Sequence, residues 1–133
     1  MSMLASKKIL ITGLLSNRSI AYGIARACQR EGATLAFTYV NAELKERVLR
    51  LAGDFGSAPV LPCDVTRDDE IAALFESLGR EWGGLDGVLH SIAFAPREAL
   101  AGAFIDVTTR DHFRMAHDIS SYSLTALARA SLP

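Results

Sequence analysis

Strand-type and helix-type runs alternate along this chain with only short connections between them, and that alternation restricts the fold more than any other feature. A strand, a helix and then another strand build parallel pairs joined by right-handed crossovers, so the class is α/β. Lys8 to Thr12 is a short β-branched run closed by Gly13, and Ser19 to Glu31 carries Ile20, Ile24, Ala27 and Cys28 at helical spacing until Gly32 stops it. Ala33 to Val40 reads as a strand buried on both faces, after which Asn41 caps a helix with Leu44, Val48 and Leu51 on one stripe. Pro59 to Cys63 is a third strand. Thr66-Arg67-Asp68-Asp69 then resembles a capping box opening a helix with Ile71, Leu74, Phe75, Leu78 and Trp82, which Gly83-Gly84 ends. Leu85 to His90 is a fourth strand, Ser91 to Val107 is less regular, and one last helix runs from about Thr109 to near Ala130.

Four parallel strands connected this way take the order 3-2-1-4, the first half of a doubly wound sheet whose complete order is 3-2-1-4-5-6. The fourth strand is then an apolar edge, which invites pairing with another chain. At 133 residues there is enough for one core, and the expectation is an N-terminal portion of a single dinucleotide-binding domain, residues 1–133, with no second domain. No segment repeats at a fixed period and no low-complexity tract interrupts the chain.

Charge bears on partners. Fourteen Lys plus Arg stand against 15 Asp plus Glu, leaving a formal charge of -1 and no basic surplus to neutralise phosphates, so no nucleic acid is expected. The longest apolar runs, such as Ala33 to Val40, fall far short of the roughly 20 residues that span a bilayer, so no membrane is expected either. Met1 to Lys8 lacks the features of an export signal, and the expected location is cytoplasmic. Cys28 and Cys63 form no C-x-x-C and read as two reduced core thiols.

Ligands of open α/β sheets bind beyond the carboxyl ends of the strands at the switch point, so four strand tips carry the functional reading. The first, Thr12 to Gly23, puts Gly13 at the tight turn and small Ser19 and Ala21 near a helix start whose amides can receive a pyrophosphate. It lacks the G-x-G-x-x-G spacing, and a glycine turn followed by a serine N-cap accounts for the same residues. The second, Thr38-Tyr39-Val40-Asn41, has neither the acid that marks NAD nor the basic residue that favours NADP; lacking that base it leans toward NADH, while Lys45 and Arg47 read as a solvated face. At the third, Cys63-Asp64-Val65, Asp64 suits either an adenine amino group or the start of the following turn. The fourth, His90-Ser91-Ile92-Ala93-Phe94-Ala95, is small enough to let a flat cofactor lie against the backbone, with His90 read as structural.

Taken together with Ala36-Phe37-Thr38-Tyr39 and with Ala116-His117-Asp118-Ile119-Ser120-Ser121-Tyr122-Ser123, these tips closely resemble the bacterial enoyl-acyl-carrier-protein reductases of type II fatty acid synthesis. A Ser-Ile-Ala turn in place of Gly-x-Gly, and His-Ser-Ile-Ala in place of Asn-Asn-Ala-Gly, separate that family from ordinary short-chain dehydrogenases. The resemblance implies a Rossmann fold that binds NADH and delivers hydride to the double bond of a trans-2-enoyl thioester carried on acyl carrier protein. It implies pyrophosphate and ribose contacts from Gly13, Ser19 and Ile20, an adenosine border at Val40, and adenine contacts from Asp64 and Val65. Ser91, Ile92 and Ala93 would lie along the ribose and nicotinamide, and Ala95 would touch the acyl substrate or an inhibitor stacked on the nicotinamide. Val40 stands where some relatives carry a polar residue, and Ala93 where some have glycine.

The family's chemistry also needs a tyrosine followed seven residues later by a lysine, to stabilise the enolate and hold the nicotinamide ribose. Tyr22, Tyr39 and Tyr122 with Lys7, Lys8 and Lys45 offer no such pair, so no catalytic residue is assigned and the chain by itself is expected to be inactive. In relatives the last helix packs against its symmetry mate in a homotetramer; here Phe113, Ala116, Ile119, Leu124 and Leu127 form an apolar stripe, with Ser120, Ser121, Ser123 and Thr125 permitting close approach. Two other readings compete: a noncatalytic nucleotide-binding or scaffold module, and another short-chain dehydrogenase acting on hydroxyl or keto groups.

Overall fold

The computed structural model describes residues 2–133. Four parallel strands, β1 (Lys8–Ile11), β2 (Thr34–Tyr39), β3 (Val60–Pro62) and β4 (Gly87–Leu89), form one sheet in the order β3-β2-β1-β4. The helices are α1 (Ile20–Arg30), α2 (Ala42–Ala52), α3 (Asp68–Trp82), a single turn α4 (Phe104–Val107), α5 (Arg110–His117) and α6 (Ser123–Ser131). The predicted order and class therefore hold, and each strand is shorter than its apolar run.

Alternation within the strands decides which residue enters which core. Leu10 and Ala36 meet Ile71, Leu74 and Leu78 of α3 and Ala126 and Leu127 of α6 on one face. Ile11, Leu35 and Phe37 meet Ala21 and Ala25 of α1 and Val48 and Ala52 of α2 on the other. Removing each of the larger side chains from water contributes about 1.5 to 3 kcal/mol, which is why consecutive residues of β1 and β2 are apolar rather than alternately polar. Outside the ladder, the Lys8 N–H donates to the Asp86 carboxylate (2.8 Å) and the Asp86 N–H to the Lys8 carbonyl (2.9 Å), aligning the entries of β1 and β4.

Helix ends follow local chemistry. Ser19 caps α1, accepting from the Tyr22 amide, and Asn41 caps α2, accepting from the Leu44 amide at 3.0 Å. Gly83 ends α3 in the left-handed region at φ 69°. The expected capping box does not form. Arg67 occupies the N-cap position without a side-chain capping bond, the Thr66 hydroxyl donates instead to Asp64 at 2.7 Å, and three acids in the first turn favour the start of α3 electrostatically.

The single last helix is also corrected. Between α5 and α6 lies a π-helical segment, Asp118–Tyr122, whose wider i→i+5 turn holds one residue more and offsets the helical phase by about 100°. The predicted apolar stripe is consequently not continuous: Ser123, Ala126 and Leu127 are buried, whereas Phe113 is 63% and Leu124 55% exposed. Cys63 is buried as expected, while Cys28 is only half-buried; both are free thiols.

Candidate functional site

Chain direction brings all the strand tips to one end of the sheet, and the switch point lies between β1 and β4. The two tips there are interlocked. Thr12 Oγ1 donates to the Leu89 carbonyl (2.6 Å) and accepts from the Ser91 amide (3.2 Å). Gly13 follows at φ +78°, and a Cβ on it would overlap the Ser91 carbonyl. Glycine is thus required twice over, by conformation and by the approach of a neighbouring backbone.

At the β3 tip the turn is local. Asp64 Oδ1 accepts from the Thr66 amide (2.9 Å) and the Thr66 hydroxyl, and the Asp64 amide donates to Glu70 Oε1 (3.0 Å). Asp64 Oδ2 has no protein hydrogen-bond partner among the described residues. The turn role foreseen for Asp64 falls on Oδ1, which leaves Oδ2 open toward the cleft that Asp64 lines. Burial, with Glu70 and Asp64 nearby, pushes the Cys63 thiol up to about 12, so Cys63 is a wall and not a nucleophile. At the β2 tip Lys45 is not simply solvated: its Nζ lies 5.7 Å from the centre of the Tyr39 ring.

A cleft of about 440 Å³ opens across these tips. Gly13 lines it from β1, Val40 from β2, Asp64 and Val65 from β3, and Ser91, Ile92 and Ala93 from β4. Ser19, Ile20 and Ala95 do not line it. The Ser19 hydroxyl donates to the Ser16 carbonyl (2.7 Å) while capping α1, and Ile20 is 76% exposed at the first position of that helix. Sequence reasoning placed Leu44 and Val48 in the core stripe of α2 and gave Ile119 to the last helix, yet all three line the cleft, as do Leu14, Leu15 and Phe94. For Leu44 and Val48 the i, i+4 spacing behind the β2 tip was a usable signal; for Ile119, inside the π segment, helical spacing gave none.

Asp64 is the one carboxylate among the lining residues, and the walls are otherwise apolar or uncharged. The backbone amides of Val65, Ile92 and Ala93 donate to no protein acceptor among the described residues. Open amide donors, one available carboxylate oxygen and largely apolar walls suit a ligand with hydrogen-bonding groups strung along an elongated, partly planar body. His90 stands apart from the cleft, its Nε2 2.7 Å from Ser123 Oγ, which in turn donates to the Ile119 carbonyl (2.6 Å). The structural reading of His90 is the one its contacts support.

Sheet order, crossover pattern and a cleft at the switch point define the first half of a dinucleotide-binding α/β fold. The family model described as enoyl-(acyl carrier protein) reductase matches residues 13–133, and the chain belongs to that family. An enoyl-acyl-carrier-protein reductase (NADH) FabI of Neisseria meningitidis serogroup B is 57% identical over 133 residues, all of this chain and 51% of its own length. The crystal structure of the Aquifex aeolicus VF5 enoyl-acyl-carrier-protein reductase (NADH) superposes with a TM-score of 0.94 at 51% identity, over 98% of this chain and 57% of that one. An Anaplasma phagocytophilum reductase solved in complex with NAD superposes with a TM-score of 0.91 at 37% identity, over 96% of this chain and 48% of that one. The chain spans about half the length of the relatives it matches. Among the described residues no helix is long and apolar enough to cross a membrane.

Proposed function

We propose that this chain supplies the cofactor-binding half of an NADH-dependent enoyl-acyl-carrier-protein reductase, whose substrate is a trans-2-enoyl thioester on acyl carrier protein. The observation that carries the reading is the convergence of four strand tips on one cleft with open amide donors, in a chain of that family. NAD fits these residues: when bound as NADH it supplies the hydride for the double bond. Asp64 Oδ2 and the Val65 amide receive the adenine, with Val40 bordering the adenosine. Gly13 lets the backbone approach the pyrophosphate, with Ser19 and Ile20 at the α1 terminus contributing contacts to the pyrophosphate and ribose through the partial positive charge of that helix end. Ser91, Ile92 and Ala93 hold the ribose and nicotinamide, and Ala95 lies beside the acyl chain. None of these side chains moves a proton, so the acid or electrophile for the thioester carbonyl comes from elsewhere in the enzyme.

The same reading makes the enzyme a cytoplasmic homotetramer, and the exposed Phe113, Met115, Tyr122 and Leu124 on the outer side of α5 and α6 support an assembly surface there. The test joins this chain to the second half of the Neisseria meningitidis reductase and follows NADH oxidation with a crotonyl thioester. Turnover with NADH is expected. Binding of NADH without turnover would favour a noncatalytic nucleotide-binding module, and turnover of a ketoacyl thioester instead would favour another short-chain dehydrogenase.

A further inference from the structure

The π segment makes two contacts at the cleft. Ile119 lies in the cleft wall, and Ser120 lies against the segment that follows β4. Ser120 Oγ accepts from the Phe94 amide at 2.9 Å and donates to the Phe94 carbonyl at 3.2 Å. One hydroxyl therefore satisfies both backbone groups of a single residue in a segment, Ser91 to Pro96, that belongs to no helix or strand. Immediately before Phe94 stand Ile92 and Ala93, whose amides are open to the cleft. Farther back, His90 is bonded to Ser123, so the tip is pinned on both sides of its open amides by one serine of the π segment and one of α6. Ser121, between them, is exposed and makes no side-chain hydrogen bond among the described residues.

We propose that Ser120 is a positioning residue for the nicotinamide end of the cofactor, acting through the Phe94 backbone to hold the Ile92 and Ala93 amides at the cleft. The inference rests on the dinucleotide reading of the cleft and adds to it a division of labour. The adenine end is held by the self-contained Asp64 turn, which Ser120 does not touch, so loss of Ser120 acts on one end of the ligand only.

The experiment uses the chain completed with the second half of the Neisseria meningitidis reductase, and compares binding of NADH with binding of ADP-ribose, which lacks the nicotinamide. If the unsubstituted protein binds neither, the dinucleotide reading itself fails. If it binds both, Ser120→Ala is expected to weaken NADH about tenfold and to raise the KM for the crotonyl thioester, with ADP-ribose changed less than about twofold. Ser120→Thr, which keeps the hydroxyl, restores most of the NADH affinity, and Ser121→Ala matches the unsubstituted protein. Equal weakening of both ligands, no weakening of either, or failure of Ser120→Thr to restore binding would overturn the proposal. Ser120→Cys, which keeps the volume and weakens both bonds, carries the same comparison if Ser120→Ala does not fold; failure of both to fold makes Ser120 a folding determinant and also overturns it.

Discussion

The β3 and β4 tips face the same cleft and are held in opposite ways. Asp64 takes its partners from Thr66 and Glu70, within six residues of itself. The β4 tip takes its partners from Thr12, 79 residues from Ser91, from Ser120, 26 from Phe94, and from Ser123, 33 from His90. A locally closed turn survives small shifts of the rest of the fold. A tip closed by distant elements keeps its shape only while the sheet and the last helix are both in place, and it reports any disturbance of either.

That contrast can be broken most severely at Gly13. Gly13→Ala puts a Cβ into the Ser91 carbonyl at a positive φ, and a loss of about 3 kcal/mol or more in chemical denaturation is expected, with NADH binding abolished. Ser123→Ala removes the partner of His90 and leaves its ring nitrogen unpaired, for an expected cost of about 1 to 3 kcal/mol. A pH series probes the β3 side. The Cys63 thiol, raised from 9.0 to about 12, stays protonated in the folded protein while it ionises in the unfolded chain. Stability should therefore fall as pH rises above about 9 and continue to fall toward 12, by at most about 1.4 kcal/mol per pH unit, and Cys63→Ala should remove that component. Thr66→Ala is the mildest. It deletes one exposed hydroxyl bond in a turn whose Asp64-to-amide bond remains, so a change of about 0.5 kcal/mol and unaltered NADH binding are expected. An effect of Thr66→Ala as large as that of Ser123→Ala would erase the distinction between the tips.

The same distinction explains what could be read from residues alone. The Ser19 and Asn41 caps and the Asp64 turn depend on neighbours within a few positions, and the sheet order follows from the alternation of elements, so each was visible in the sequence; Gly13 was visible as a turn, but its close approach to Ser91 was not. The α3 capping box was misread because Thr66 has a competing acceptor two residues back, and spacing does not rank two bonds open to one hydroxyl. The π segment left no periodic trace, since His117 to Ser123 is polar on most sides and an extra residue there shifts no obvious hydrophobic pattern. With it went the placement of Ile119 in the cleft wall and the contacts of Ser120, which depend on where a helix arrives from some thirty residues away.

The wide turn at Asp118–Tyr122 also acts as a reading frame for the helix it interrupts. Deleting one residue from it would restore ordinary i→i+4 bonding, yet it would turn α6 by about 100° relative to α5 and carry Ala126 and Leu127 out of the core. Length in this segment is thus held more tightly than composition: substitutions at Ser121 are absorbed by solvent, while a one-residue gap would exchange the buried and exposed faces of everything that follows.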